Sequence, residues 1–489
     1  MKIKAFNEIH LGKAQIALDL GDGSERGEYV NQDYILTKLG RPHRNIGLMY
    51  TYYPYDKEWP ERISVACADM EITFQWDYPY DDYFPYKGAT GVATDEDVFE
   101  QMRDIRRHGQ DVTLTLTIDC KTKEEELINI AKELKTFGQM KIRINHECAG
   151  DWFTHNQRYS FKEIADFFVK FHKIIKEYAP NITTIFDTGF LRPDGTLEHE
   201  DDFMEAYLIA DEWSADCYLS LHYGWPFDVA EKDSTTYSVK ESVSEFVELV
   251  DKTYDRYNVI ADGKMRPLVI TEFNNDGDVT GPKAQGDSVV ELAKQFKNHD
   301  RKSLAAYTMY QFRDRGRLGL EIEDPNNSEN GIRQPLMDDY IEILKDDFFK
   351  PEISAKEYAK DKSDAFPKKL RWGSAEDSDG LEIDIEFEKA PVFCEVTFEG
   401  KDIDLNLMME INGRWFYKAP GVETIDLMPA FFTDNREESF NCGLKIFAPP
   451  STGENVNIDE GDNLYNYYET INAMPKLRIR YESLADIKF

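Results

Sequence analysis

Between about Asn45 and Asp314 the chain alternates short apolar runs with stretches in which apolar residues recur every three or four positions. That alternation is the pattern of strand, crossover helix and parallel strand. Eight runs read as strands: 45–53, 70–76, 112–119, 140–147, 182–190, 215–224, 267–273 and 305–312. Between them, Leu127, Ile130, Ala131, Leu134 and Phe137 form one helical stripe, closed by Gly138, and Phe167, Phe171, Ile174, Ile175 and Tyr178 form another. Stripes of this kind are core-facing. The pairs Thr122/Glu125, Ser160/Glu163, Ser242/Glu245 and Ser288/Glu291 fit the capping box, so each is expected to open a helix. Eight strands with about seven crossovers over roughly 270 residues predict an α/β fold, a (β/α)8 TIM barrel rather than an open doubly wound sheet.

Beyond Pro351 the period changes to two. The runs 381–388, 392–398, 407–417, 443–447 and 476–481 alternate apolar and polar positions between turn residues, as half-buried antiparallel strands do. The expected organisation is an N-terminal extension over 1–44, a catalytic barrel over 45–350 and an appended all-β sandwich over 351–489. The extension holds one strand-like run, 14–20, which either covers the barrel floor or adds a strand to the C-terminal sheet.

Composition narrows the partners. With 93 Asp and Glu against 58 Lys and Arg, the formal charge is −35, a field that repels nucleic acid and anionic membrane surfaces. No apolar run approaches the roughly 18 residues of a membrane span. The start, MKIKAFNEIHLGK, has no apolar core or small-residue cleavage site, so a cytoplasmic chain without signal peptide is expected, or a secreted or periplasmic one if an export signal precedes it. The six cysteines show no C-x-x-C pair, no G-x-G-x-x-G or G-K-[ST] loop follows an early strand, and neither metal nor cofactor is expected. Oligomeric state is not legible at this level.

In a barrel, the C-terminal ends of the strands face the active site. The fourth run ends at His146-Glu147 and the seventh at Glu272. Two carboxyls converging from different strands are what glycosidic bond cleavage requires, one to protonate the leaving oxygen and one to attack the sugar. The stretch Arg143-Ile144-Asn145-His146-Glu147-Cys148-Ala149-Gly150-Asp151-Trp152-Phe153 resembles the acid/base motif R-x-x-H-E-x-x-G-x-W-F of glycoside hydrolase family 26, and Thr271-Glu272-Phe273 is similar to the nucleophile motif of that family and its clan of barrel glycosidases. The resemblance covers about residues 45 to 320. It implies a retaining hydrolase with Glu147 as general acid/base and Glu272 as nucleophile, His146 beside the acid, and Trp152 stacked on the leaving sugar with Phe153 next to it. Thr154 and His155 stand where the family commonly has a tryptophan pair, and Asn274 where it often has glycine. An endo-β-mannanase-like activity is the first substrate reading, with a β-glucanase, a β-1,3-xylanase or a non-catalytic carbohydrate-binding barrel as alternatives.

Further candidates come from position. His222 and Tyr223, ending the sixth run, either donate a hydrogen bond to Glu272 or, for His222, form a satisfied core histidine, with Trp225 near them as a sugar contact. Twelve aromatic residues fall between Tyr50 and Tyr86, Trp76 among them, where rings can stack on the C–H faces of a sugar or pack the barrel rim. Arg313, Arg315 and Arg317 form a basic cluster after the eighth run, which either binds an acidic sugar or pairs with neighbouring acids such as Asp314, Glu321 and Glu323.

Overall fold

The computed structural model describes residues 2–4, 8–11, 16–21, 29–56 except 41, 42 and 44, 59, 84–150 except 108, 109, 138 and 139, 154–220, 222–223, 229–230, 239–261, 266–349 except 302, 315, 325 and 328, 351–354, 358–360, 366–371, 380–449 except 434, and 468–481. Eight parallel strands close on themselves: β1 (Ala17–Gly21), β2 (Asn45–Tyr52), β3 (Asp111–Ile118), β4 (Met140–Ile144), β5 (Ile182–Phe190), β6 (Glu212–Tyr218), β7 (Leu268–Asn274) and β8 (Ala306–Met309). β8 pairs back onto β1, and β1 onto β2. The longer helices are α1 (Gln32–Leu39), α2 (Asp97–Arg107), α3 (Glu124–Lys135), α4 (Phe161–Tyr178), α5 (Glu200–Ile209), α6 (Val239–Ile260), α7 (Pro282–Asn298) and α8 (Leu336–Leu344), each lying after the strand of the same number.

The strand-like run near the N-terminus is therefore the first barrel strand, so the extension expected over 1–44 gives part of itself to the barrel. β2 pairs with β3 along all eight of its residues, leaving no place between them for another strand. The run 70–76 lies outside the described residues. Among the described residues of the extension, Lys2–Lys4 joins the C-terminal sheet, parallel to 384–386, while Glu8–Leu11 pairs with Pro351–Ser354.

Strand alternation explains the two layers of the barrel. In β3, Val112, Leu114, Leu116 and Ile118 are fully buried in the main core cluster that includes the helix stripes. Thr113 and Thr115, on the opposite face, line a cavity of about 40 Å³ inside the barrel. The same division in β4 sends Met140, Ile142 and Ile144 to the core cluster and leaves Lys141 and Arg143 in polar contacts with other strands. Helix starts partly follow expectation. Ser160 and Glu163 form a full capping box on α4. α3 begins one residue later than expected, with Glu126 on the Lys123 N–H at 3.3 Å. Ser242 and Ser288 lie inside α6 and α7 rather than at their starts; α7 opens at Pro282, a residue suited to the first helical position because it lacks the N–H left orphaned there.

The C-terminal region has a second core built from Leu381, Ile383, Ile385, Leu407, Met409, Leu444 and Ile446 among others. Its largest sheet runs in the order 358–360, 2–4, 381–387, 440–447, 407–411, 414–418. It docks where helices lead into β3 and β4: Arg106 donates to the Val392 carbonyl at 2.7 Å and Arg436 to the Thr136 carbonyl at 3.1 Å. Those are the N-terminal ends of the strands, opposite the rim that carries the candidate site. Among the described residues no helix is long and apolar enough to cross a membrane.

Candidate active site

Three irregularities in the barrel lie on its C-terminal rim. After β4 the chain turns at Asn145 (φ 62°) and Glu147 (φ 40°), both in the left-handed region that costs non-glycine residues roughly 1–3 kcal/mol. The ladder shifts register between Asp187 and Phe190 in β5, and between Ile270 and Phe273 in β7. Regular strands send consecutive side chains to opposite faces. These breaks let neighbours share one face: His146 with Glu147, and Thr271 with Glu272. Asn145 secures the first turn through its side chain, accepting from the Ile118 N–H at 3.0 Å, while Asn156 donates to the Glu147 carbonyl at 2.7 Å.

The two glutamates meet. His146, Glu147, Asp216 and Glu272 each bring an acceptor or ring nitrogen within 4.8 Å of the others, and all four are buried. Arg143 stands among them. Its Nη2 donates to Glu272 Oε1 at 2.6 Å, its Nη1 to Asp187 at 3.1 Å, to Asp216 at 3.2 Å and to Thr271 at 2.9 Å, and its Nε to Thr115 at 2.6 Å. His146 Nε2 lies 3.0 Å from the same Oε1, and Tyr218 donates to Oε2 at 2.8 Å. Among the described residues these four are the grouping close enough to ligate a metal ion, but a guanidinium already occupies their midst, and a dication would meet like charge there.

This arrangement separates the two carboxyls electrically. Burial would raise Glu272, but His146 and Arg143 outweigh it and hold the group well below the usual carboxylate range. Glu147 goes the other way: burial, reinforced by Glu272 and Asp187 against the opposing pull of His146, pushes it up to about 7. Burial lowers His146, yet Glu272 and Glu147 overcome this and lift it to about 8. Asp216 is raised well above its ordinary value by burial and by Asp187 beside it. One carboxyl is held ionised while its neighbour titrates near neutrality, so their environments push the two apart.

The solved structures similar to this chain include the GH51 arabinofuranosidase from Xanthomonas axonopodis pv. citri, at 13% identity over 91% of this chain and 99% of that one with a TM-score of 0.45. They also include the GH26 β-mannanase from Bacteroides ovatus, at 10% identity over 68% and 89% with a TM-score of 0.40, and a glucosidase from Croceicoccus marinus, at 8% over 91% and 98% with a TM-score of 0.44. No protein-family model and no curated protein matches the chain.

Of the residues singled out in the sequence, the structure brings together Glu147, Glu272 and His146. Trp152, Phe153, Trp225 and Trp76 lie outside the described residues. β6 ends at Tyr218, earlier than the expected end at His222 and Tyr223, which instead form a short ladder with 229–230. Glu272 takes a hydrogen bond from Tyr218, the last residue of β6; the side chains of His222 and Tyr223 lie outside what the structure describes. Arg313 turns inward: it is buried, bonded to Glu321 at 3.0 Å and stacked over Tyr34, so the pairing alternative describes it and a sugar contact does not. Arg317 pairs with Asp278 at 2.8 Å, and Arg315 lies outside the described residues. Of the aromatics between Tyr50 and Tyr86, Tyr50, Tyr52, Tyr53 and Tyr86 are buried packing residues. Sequence reasoning passed over Tyr218, Asp187, Asp216 and the partners of Arg143. The available signal was polar side chains alternating with apolar ones inside strands that are covered on both faces.

Proposed function

We propose that the protein is a retaining glycoside hydrolase, with Glu272 as nucleophile and Glu147 as general acid and then general base. The observation that carries this is the approach of the two carboxyls, within 4.8 Å oxygen to oxygen. Retaining enzymes hold their pair about 5–5.5 Å apart, whereas inverting enzymes leave roughly 6.5–9.5 Å for a water. In the first step Glu272 attacks the anomeric carbon while Glu147 passes its proton to the departing oxygen. In the second, Glu147 takes a proton from water as that water displaces Glu272. His146, Arg143 and Tyr218 keep Glu272 ionised and aimed between turnovers.

The substrate we infer is a neutral β-linked glycan, mannan first, with β-glucan and β-1,3-xylan as the other members of the class. The motif around Glu147 supports mannan; the charge of −35 and the internal pairing of Arg313 and Arg317 speak against an acidic sugar. A panel of these polysaccharides, followed by NMR of the first product anomer, tests the reading. Retained configuration is expected; inversion removes the nucleophile role from Glu272, and binding without any product leaves a carbohydrate-binding barrel.

The pH profile is a second check. Turnover needs Glu147 protonated and Glu272 ionised, so kcat/KM is expected to fall as pH rises through about 7, the value for Glu147 in the free protein. The acidic limb should lie below the ordinary carboxylate range, because Glu272 is lowered. A basic limb above pH 9 would contradict the assignment of the acid.

A further inference from the structure

Asp187 in β5 is not one of the pair that carries the chemistry, yet it touches both halves of the site. Its side chain is buried, and its Oδ2 accepts from the Glu147 N–H at 3.2 Å and from Arg143 Nη1 at 3.1 Å. Its Oδ1 accepts from the Gly189 N–H at 3.3 Å and from Ser214 Oγ at 3.5 Å. All four of these partners are donors, the pattern an ionised carboxylate satisfies. Its main-chain carbonyl takes the Cys148 N–H at 3.1 Å.

Arg143 carries the link onward to Glu272. One aspartate oxygen thus joins the backbone of one glutamate to the guanidinium that holds the other. Glu147 needs such an anchor, because its φ of 40° places it where an L-residue does not rest unaided. Asp216 faces the same Nη1 but takes its other bond from Thr271 at 2.7 Å, not from the backbone of Glu147.

We propose that Asp187 is a positioning residue that fixes the separation of Glu147 and Glu272. The inference rests on the glycosidase reading above. Asparagine at 187 has nearly the same shape, but it removes a negative charge beside Glu147 and presents an NH2 group to a site built of donors. Without that charge Glu147 ionises more readily, so its acid form is lost at lower pH; Asp187 is among the groups that raise it.

Asp187→Asn is therefore expected to lower kcat by about 10- to 100-fold, the scale of a small misplacement of reacting groups, with KM nearly unchanged. The basic limb of kcat/KM should move to lower pH. Glu212→Gln serves as the structural comparison, since Glu212 pairs with Lys141 at 2.7 Å elsewhere in the barrel interior. It should lower Tm without moving the limb. The proposal is overturned if Asp187→Asn keeps the wild-type limb and kcat, or if it behaves as Glu212→Gln does. Should Asp187→Asn fail to fold, Asp187→Ser, which leaves room for a water, takes its place; if neither folds, the residue is structural and the proposal falls. Absence of turnover by the wild-type chain on every glycan would overturn this inference together with the glycosidase reading, whereas turnover with an unchanged Asp187→Asn profile overturns this one alone.

Discussion

Glu272→Gln is expected to abolish measurable turnover, and Glu147→Gln to lower it by about 10²–10⁴-fold on substrates whose leaving group needs a proton. The two losses should differ in kind. An aryl glycoside with an acidic phenol leaves without protonation, so Glu147→Gln should still form the glycosyl-enzyme quickly and stall at its hydrolysis. Added azide, which needs no general base, should then restore release as a glycosyl azide of retained configuration. In Glu272→Ala, azide occupying the vacated space should attack directly and give the inverted azide. Chromatography with NMR of the azide products reads both outcomes. Retained product from the Glu272 variant, or no rescue of the Glu147 variant, would exchange or dissolve the two roles. Both glutamine substitutions keep side-chain volume, so far-UV circular dichroism should match the wild type.

The second large effect is expected at Arg143. Its guanidinium, from β4, bonds to residues on β3, β5, β6 and β7, so it ties together five of the eight strands at the level of the site. Arg143→Met fills the space but leaves Asp187, Asp216 and Glu272 buried around no guanidinium. Removing one partner of a buried ion pair costs about 3–5 kcal/mol. The deficit should depend on pH with a definite sign. Without the cation the buried carboxylates lose the charge that offsets their desolvation, and a buried charge left unpaired costs more stability as pH rises and the groups ionise. Urea unfolding should therefore show a larger loss at pH 7 than near pH 4. Arg143→Lys keeps the charge but can reach fewer acceptors at once, so it should fall between the two. A uniform loss at both pH values would mean that packing, not charge, is what Arg143 supplies.

The meeting of Glu147 and Glu272 was legible because each ends an apolar run, and a barrel turns the ends of such runs into one rim. The described barrel also has eight strands, with the run 14–20 supplying the first of them and 45–52 paired directly with 111–118. In that order Glu147 follows the fourth strand and Glu272 stands near the end of the seventh. A short run of apolar residues carries no mark of which sheet it joins. For Lys2–Lys4 and Ala17–Gly21, separated by residues 5–16, pairing with distant strands sends one to the C-terminal sheet and the other to the barrel.

The chain by itself determined the repeating strand-helix order, the change to period two after Pro351, the apolar stripes that cover the barrel, and the two acids at its rim. These follow from local periodicity, which reaches only as far as a turn of helix or the pleat of a strand. The tertiary structure decided everything that depends on strands far apart in sequence. It made Tyr218 a partner of Glu272, turned Arg313 inward onto Glu321, and gathered Asp187, Asp216 and Arg143 beneath the two glutamates. In a strand covered on both sides, alternation alone does not separate a residue facing the lumen from one facing a helix. Closure of the barrel makes that distinction, because it brings charges from four strands within hydrogen-bonding distance of one another.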